Sequence, residues 1–440
     1  MSLRLSTRSS FWVISALLFA LFGSAGAPAP LYQVYQAKWG FSTTTLTFVF
    51  AVYVLTLLAT LLTVGSLSDH VGRRPVMCAA IALAAVASGL FLTADGVTRL
   101  ILARAAQGVA IGLTSGSLVA AMLDLRPQGD SAPLMSSVAP TAGLAIGALA
   151  TSSLVQYGPH PTRLVWSLLL AVFVIGLVPV LAMTEPGRRR PGAIASLTPR
   201  LAIPAAARPA FAAAAPCIIG LWALGGFYLS LGPSLTRELV HSRNLMWGGL
   251  SICLLTGFGA IGSAATRNQL PRVTMTAGCG GLLVGVVITV AAISTGTPWL
   301  LFTGTAVAGT GFGTAFSGAY RTVIAAAPED DRAALIAAIF TMSYAAFGVP
   351  ALLAGIAASH YGLRGTALVY AATVAALAGG ALLTLIAGRR RDSGRRAPAV
   401  GRAVALPPGP CTIPPCPPAE TVVPHLPDTR ATELSLMRRP

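Results

Sequence analysis

Long apolar runs recur along almost the whole chain, and they constrain its fold more than any other feature. Hydrophobic residues make up 55% of the 440 residues, and charged residues only 10%. About 20 helical residues span the hydrocarbon core of a bilayer, and many of the runs have about that length. Backbone groups in lipid must be hydrogen-bonded internally, and the alternation that a membrane β-barrel requires is absent. The runs therefore predict membrane-spanning helices.

These runs predict an all-α polytopic membrane protein with twelve transmembrane helices in two pseudo-symmetric six-helix bundles. The first six predicted spans are 11–31, 44–64, 76–94, 99–122, 133–155 and 164–183. The other six are 211–231, 246–266, 274–293, 299–322, 333–357 and 365–387.

The predicted domains follow from these spans. They are a cytoplasmic N-terminus at 1–10, an N-terminal bundle at 11–183, a central cytoplasmic loop at 184–210, a C-terminal bundle at 211–387 and a cytoplasmic tail at 388–440. The central loop is rich in proline and arginine and divides the spans six and six. The tail has the same bias and almost no periodicity, so we expect it to be disordered.

The net charge of +17 would suit a nucleic-acid partner, but the distribution of the charge indicates membrane topology instead. Many arginines fall in loops on one side: Arg73, Arg74, Arg126, Arg188, Arg189, Arg190, Arg200, Arg208, Arg267, Arg272 and Arg332. The opposite side has only Lys38, Arg99, Arg163, Arg237, Arg243 and Arg364. This asymmetry predicts that both termini are cytoplasmic and that membrane lipid, rather than nucleic acid, is the charged partner. The Ala- and Arg-rich composition further suggests a GC-rich bacterial genome, and hence the bacterial inner membrane.

The two halves of the chain are similar to each other. YGPHPTRLVW at 157–166 and YGLRGTALVY at 361–370 share Tyr, Gly, Thr, Leu and Val in one register. The glycine pattern of span four, which includes Gly108, returns in span ten at Gly309. A parallel internal repeat of this kind is typical of transporters that place their substrate between the halves near the middle of the membrane.

A short loop after the second span, GSLSDHVGRRPVM at 65–77, concentrates charge in an otherwise apolar chain. It resembles the G-x-L-x-D-x-x-G-R-R/K signature loop of the major facilitator superfamily. The matching positions are Gly65, Leu67, Asp69, Gly72, Arg73 and Arg74. The twelve spans, the long central loop and the internal repeat agree with that family over most of the chain. Within the family, the chain resembles the drug and metabolite efflux branch.

The resemblance implies a gate at this loop. In the family, the loop holds the two halves together on the cytoplasmic side in the outward-open state, and Asp124 matches the acid that completes its charge cluster. Gly72 would permit the sharp turn into span three, and Asp69 can accept charge-assisted bonds from Arg73. The alternative is that Arg73 and Arg74 only set the topology. The second-half copy at 262–275 has lost its acid, because a threonine stands there.

Span four contains RAAQGVAIG at 104–112, which resembles the family's R-x-x-Q-G pattern. A charge inside a membrane helix is costly and therefore indicates function or a specific partner. The resemblance implies that Arg104, with Gln107 beside it, takes part in proton coupling or contacts the substrate. The alternative is that Arg104 extends outward to the headgroups from near the end of its helix.

Span five contains APTAG at 139–143, followed by Gly147. It partly resembles the bend motif of the family's drug/proton antiporters, with Pro140, Gly143 and Gly147 as the matching positions. This resemblance favours export. The alternative is a packing kink, because proline and glycine are tolerated in membrane helices when neighbouring helices compensate.

The first, fourth, seventh and tenth spans line the cavity in this family. Candidate substrate-contacting residues beside Arg104 and Gln107 are Gln33, Trp222 and Tyr228, with Tyr53 and Tyr344 on neighbouring spans. No acid falls clearly in the middle of a span. Because a buried cation needs a paired anion, we expect organic cations to be poor substrates and a neutral or anionic amphipath to fit better.

Several chemistries are missing from the sequence. Lys38 is the only lysine and lies in an outer loop, so there is no Walker A phosphate site. No H-E-x-x-H motif occurs, and the six cysteines show neither a disulfide framework nor a metal-ligand spacing. We therefore expect no enzymatic activity, no cofactor and no metal.

The sequence predicts a monomeric secondary transporter that exports a small amphipathic drug or metabolite by alternating access. Protons are the expected coupling ion, with Asp69, Asp124 or Glu238 as carriers at the membrane edges, and facilitated diffusion is the alternative. One alternative is an importer of a nutrient such as an organic acid or a sugar. The other is a transporter-shaped sensor that no longer transports, although a static receptor would not need the loop at 65–74.

Overall fold

The computed structural model describes residues 5–125, 131–187, 189–199 and 201–395, which are helical apart from short connections and the segment that joins the two halves. The helices of the first half are α1 (Thr7–Gly26), α2 (Pro28–Trp39), α3 (Thr43–Val64), α4 (Ser68–Val71), α5 (Arg73–Leu92), α6 (Val97–Asp124), α7 (Ser131–Tyr157) and α8 (Pro161–Ala182). Those of the second half are α9 (Arg208–Ser230), α10 (Gly232–Val240), α11 (Met246–Ala265), α12 (Pro271–Thr295), α13 (Pro298–Ala325), α14 (Arg332–Tyr361) and α15 (Leu363–Arg395).

The predicted all-α polytopic architecture is confirmed. Across the described residues, eleven helical segments are long and apolar enough to cross a membrane, and α1 and α2 count as one of them. The predicted tenth span also forms a helix, α13, but its many glycines and threonines make it less apolar than the others. The last helix continues to Arg395, past the predicted start of the tail at 388, and the rest of that tail lies outside the described residues.

The first span is longer than its predicted range of 11–31. A helical backbone at Ala27 joins α1 to α2, and the apolar segment continues to Trp39. Pro28 begins α2, at a position where the missing proline N–H costs little. Gln33, expected near the end of the span, therefore lies in the middle of a helix.

The bundle has two ends, which we name by the loop at 65–74. The motif end carries this loop, and the opposite end carries the turns after α2, α5, α7, α10, α12 and α14. The two halves meet along α3 with α14 and along α7 with α11. At the opposite end, the hydroxyls of Thr44 and Ser359 lie 3.0 Å apart, and the amide of Leu245 donates to Gln156 at 3.0 Å.

Both pairs of helices remain in contact as far as the middle of the bundle. A Cβ on Gly348 of α14 would lie 3.0 Å from Val54 of α3, and one on Gly257 of α11 would lie 3.6 Å from Ala145 of α7. These positions are close to the midpoints of their helices. The contacts that hold the halves together thus extend from the opposite end to mid-depth.

Candidate gate loop and transport site

Arg73 is the centre of the charged loop. Its guanidinium forms ion pairs with Asp69 and with Asp124, the latter at 3.0 Å from Nε to Oδ2. It also donates to the hydroxyl of Ser68 at 2.7 Å. The Arg73 side chain is only 14% exposed, so these bonds are partly shielded from water. One arginine thereby joins the short helix α4, the start of α5 and the end of α6.

Glu185, just after α8, completes the cluster. No sequence pattern had indicated a role for this residue. Its carboxylate accepts from the backbone amides of Arg73 at 2.6 Å and of Arg74 at 3.2 Å. These amides belong to the first turn of α5, where the backbone N–H groups have no acceptor within the helix. The positive end of the helix dipole lies at the same place. Glu185 thus caps the start of α5, while Asp69 pairs with the Arg73 side chain as expected from the sequence.

Gly72 makes this approach possible. Its φ is +110°, a conformation that favours glycine, and a Cβ there would lie 2.7 Å from a carboxylate oxygen of Glu185. The expected sharp turn into α5 is therefore present. Gly65 likewise lies against another glycine, because a Cβ on Gly116 of α6 would overlap the Gly65 carbonyl.

The segment after α8 packs on the same loop. The amide of Arg190 donates to the Asp69 carbonyl at 3.0 Å, and Nδ1 of His70 lies 3.0 Å from the Pro191 carbonyl. Ser66 donates to the Ser196 carbonyl at 3.2 Å. In this arrangement the loop at 65–74 binds α5, α6, α8 and the central segment, while the half-to-half latch implied by the family resemblance stays a prediction.

The equivalent loop of the second half is organised around one arginine from α13. Arg321 donates to the carbonyls of Arg267 at 2.8 Å, Gln269 at 3.2 Å and Thr266 at 3.3 Å. Thr266, where the acid has been lost, donates its hydroxyl to the Gly262 carbonyl of its own helix. Arg321 also donates to the hydroxyl of Thr274 at 3.3 Å. Sequence comparison of the two loops gave no sign of Arg321, because none of these partners is charged.

The glycines of span five lie in a helix-packing seam. A Cβ on Gly143 would lie 2.5 Å from the Phe19 carbonyl of α1, and one on Gly147 would overlap Gly23. Pro140 lies inside α7, about one turn before Gly143. The three residues therefore bring α1 and α7 into close contact, which small residues favour in membrane helices.

Arg104 is buried in the middle of the first half. Its side chain is 1% exposed, and it donates to Oε1 of Gln107 at 2.6 Å. Gln107 in turn donates to the Ser24 carbonyl at 2.8 Å, which ties α6 to α1. The guanidinium lies 4.1 Å from the ring centroid of Tyr53. Among the described residues, no carboxylate lies within ion-pair distance of Arg104.

Aromatic rings connect Arg104 to the second half. Phe50, whose ring centroid is 5.7 Å from the Arg104 guanidinium, packs against Phe347 of α14 at 5.2 Å. Phe347 lies 5.6 Å from Trp222 of α9, and Tyr344 lies 5.0 Å from the same indole. We call Arg104, Gln107, Tyr53, Phe50, Phe347, Tyr344 and Trp222 the central cluster. The phenylalanines were missed, since no sequence pattern reveals a contact between halves.

Two polar atoms of the central cluster have no hydrogen-bond partner within the described part of the chain. They are Nε of Arg104 and Nε1 of Trp222, and both are buried. The hydroxyl of Ser343, next to Tyr344, is in the same situation. Unpaired buried donors are costly, so these atoms are candidate hydrogen-bond donors to a bound molecule or water.

The structure places the remaining candidates elsewhere. The hydroxyl of Tyr228 lies 2.7 Å from that of Thr305, within the second half. Gln33 accepts from Arg237 at 3.5 Å, across the halves near the opposite end. Neither Tyr228 nor Gln33 belongs to the central cluster in this conformation. Within the described ranges, no group of His, Cys, Asp and Glu residues is arranged to hold a metal ion.

Membrane-length helices in two related halves, joined at mid-depth by a buried polar and aromatic cluster, are the architecture of a secondary transporter. The sequence profile of the Major Facilitator Superfamily matches residues 12–349. The chain therefore belongs to the Major Facilitator Superfamily.

Comparison with solved structures agrees with this assignment. A mutant of the nucleoside transporter NupG matches with a TM-score of 0.65 and 14% sequence identity, over 86% of this chain and 99% of that chain. At this identity the likeness shows the fold alone. A search of curated protein sequences found no match to this chain.

Proposed function

We propose that this chain is a secondary active transporter that exports a small amphipathic compound, either uncharged or anionic, by alternating access. The observation that carries the proposal is Arg104, a buried cation without a carboxylate partner among the described residues, linked by aromatic rings to the second half. A substrate bound there would contact both halves. Its binding could therefore be coupled to their relative movement.

The donors and rings of the central cluster support this substrate class. A carboxylate, phosphate or carbonyl oxygen of the substrate can accept from Nε of Arg104, while Trp222 and Phe347 supply apolar and stacking surface. An organic cation would place a second positive charge near an uncompensated one, at a large cost in a low-dielectric interior. We therefore expect discrimination against cations.

The direction of transport is proposed from the sequence resemblance of span five. The conformation described is compatible with it, because the contacts between halves lie from the opposite end to mid-depth. If the motif end is cytoplasmic, as the charge distribution predicts, this is the conformation in which an exporter would bind its substrate. Asp69 and Asp124, at the motif end and partly exposed, are the proposed proton carriers.

A second candidate is the uptake of an uncharged planar compound such as a nucleoside. It is supported by the stacking surfaces of Trp222, Tyr344 and Phe347. NupG, whose fold the chain shares, is a nucleoside transporter. Uptake and export differ in the sign of the accumulation change, so one experiment separates them.

The test is the accumulation of labelled neutral, anionic and cationic compounds in cells that express the protein, with and without a protonophore. We expect lower accumulation of a neutral or anionic compound, reversed by the protonophore and lost in Arg104→Gln. The control is Arg99→Gln, which removes an exposed arginine from the same helix, α6. Raised accumulation would favour uptake, and no change for any compound would favour a sensor. Transport that ignores the protonophore would eliminate proton coupling.

A further inference from the structure

A cavity lies at the opposite end of the first half, away from the central cluster. Its volume is about 290 Å³, it is lined by the end of α2, the end of α5 and the start of α8, and it is open to the outside of the protein. Its lining includes two basic side chains, Lys38 and Arg163, and one acid, Asp95. The transport proposal makes no use of any of them.

Two stacked aromatic pairs, joined by a hydrogen bond, form one wall of the cavity. The rings of Tyr35 and Trp39 stack at a centroid distance of 4.9 Å, and those of Phe91 and Trp166 at 3.9 Å. Trp166 donates from Nε1 to the hydroxyl of Tyr35 at 2.8 Å, which joins the two stacks. Trp166 and Tyr35 are buried, so the wall is formed before any ligand enters.

The cavity has an excess of positive charge. Asp95 is already paired with Arg99 at 3.2 Å. Within the described residues, no carboxylate lies within ion-pair distance of Lys38 or Arg163. Lys38 Nζ lies 5.5 Å from the centroid of the Trp39 ring, which leaves its donors available to a ligand. The positive end of the α8 dipole, at Pro161, adds to the same field.

Three of the other four basic residues of this end have partners: Arg99 pairs with Asp95, Arg237 donates to Gln33, and Arg364 donates to the Ser294 carbonyl. The fourth, Arg243, does not line the cavity. By contrast, Lys38 and Arg163, which have no carboxylate partner in the described part of the chain, share one preformed cavity. Such a pair matches an anion with several acceptor oxygens.

The cavity lies beside a surface suited to lipid. Helix α8 begins at the cavity and exposes Val172, Ile175 and Val178 further along its length. Only 22% of its most apolar segment is buried inside the protein. An amphipath whose anion occupied the cavity could lay its hydrocarbon chains along this helix. Aromatic residues such as Trp39 are typical of the membrane–water interface, where headgroups lie.

We propose that this cavity binds the phosphate of a phosphate ester, with Lys38 and Arg163 as its ligands and a membrane phospholipid as its source. The phosphodiester oxygens would accept from the two cations, and the glycerol backbone would rest on Trp39. A soluble phosphate ester shares this chemistry but lacks the chains that α8 would bind.

The test is native mass spectrometry of the full chain in detergent. The probes are dioleoyl phosphatidylglycerol, dioleoylglycerol, which has the same chains without phosphate, and glycerol 3-phosphate, which has the phosphate without chains. We expect phosphatidylglycerol to bind the wild type, with affinity about tenfold lower in Lys38→Gln/Arg163→Gln because charge-assisted bonds are lost. The matched control, Arg243→Gln, removes an arginine of the same end that does not line the cavity.

The probes distinguish the possible sources. Displacement of phosphatidylglycerol by millimolar glycerol 3-phosphate would assign the site to a soluble phosphate ester, and the phosphate chemistry would still stand. Equal binding of dioleoylglycerol, or unchanged phosphatidylglycerol binding in the double variant, would overturn the proposal. The melting temperature of the double variant, expected to match that of Arg243→Gln, guards against misfolding as the cause of lost binding.

Discussion

The loop after α3 and the loop after α11 occupy equivalent positions in the two halves, yet different chemistry holds each of them in place. In the first, Arg73 is bound by the carboxylates of Asp69 and Asp124, and Glu185 accepts from the first amides of α5. In the second, Arg321 is bound by backbone carbonyls of its own half. The first loop is a network of ionisable side chains, and the second is a single cation bound by peptide carbonyls and the Thr274 hydroxyl.

The difference indicates which loop can act as a gate. Bonds between charged side chains can break, change partner or be neutralised by a proton, so their arrangement can differ between two conformations. An arginine is always charged, and backbone carbonyls of one loop move together with it. We propose that the first loop changes partners during transport and that the second is a fixed brace.

The largest expected effect is the loss of transport in Asp69→Asn. The substitution keeps the size of the side chain but removes the charge that Arg73 binds, so the loop should no longer stabilise one of the two conformations. We expect transport to fall at least about tenfold, since charge-assisted bonds contribute about 1.5–3 kcal/mol. Initial rates in proteoliposomes measure this. Asp95→Asn, an exposed acid of the opposite end, is the control and should keep the wild-type rate.

A substitution in the second loop should change stability rather than transport. Arg321→Gln leaves carbonyls of Arg267 and Gln269 without their donor, and we expect a loss of about 1–3 kcal/mol in the free energy of unfolding. A lower melting temperature with an unchanged rate per folded molecule would agree with a brace. Loss of transport in the folded protein would mean that this loop is also part of the gate. Arg267→Gln, an exposed side chain of the same loop, is the matched control.

The effect of Glu185→Gln should be intermediate, with a moderate loss of both stability and transport. An amide oxygen can still accept from the amides of α5, but without the charge that the helix start favours, so we expect about 1 kcal/mol of destabilisation. Because Glu185 also belongs to the charged network, transport should fall by about twofold or more. Glu329→Gln, an exposed acid that starts a different helix, should affect neither quantity. A melting temperature equal to that of the wild type would contradict the capping role of Glu185.

The smallest expected effect is that of restoring an acid to the second loop. Thr266→Asp places a carboxylate near Arg321, but the guanidinium already has carbonyl partners and the site is partly exposed. We expect a change of about 0.5 kcal/mol or less in stability, compared with Thr266→Asn. A large gain in stability or transport from the acid would show that the two loops are interchangeable, and the second loop would then not be a fixed brace.

The sequence predicts the helices and part of the gate because their signals are local. Apolar runs determine the spans, and the spacing of Asp69, Gly72 and Arg73 identifies the loop without any knowledge of its surroundings. Asp124 could be added because the family pattern includes an acid at that place. The first span was predicted to end at residue 31, but the apolar helical segment continues to Trp39, because the helix that begins at Pro28 follows α1 without a break.

The remaining features depend on groups that a sequence does not display as pairs. Glu185 binds backbone amides, and Arg321 binds backbone carbonyls and one hydroxyl, so neither has an oppositely charged side chain to search for. The contact between Phe50 and Phe347 joins two halves whose relative placement is a tertiary property. The sequence predicted functional roles for Arg104 and Trp222, but the ring contacts that connect them required the structure.

The most direct test of the proposed gate is a distance measurement between the two loops. Val71 of the first loop and Leu270 of the second are exposed and lie at the motif end. Spin labels on Val71→Cys and Leu270→Cys, in a background with the native cysteines replaced by serine, report their separation by pulsed electron paramagnetic resonance. With the wild-type residue at position 69, we predict two populations of the distance between the labels, one long and one short. In Asp69→Asn we predict that the short-distance population is lost. An identical distribution with and without the Asp69 charge would contradict the proposal that this loop holds the halves together.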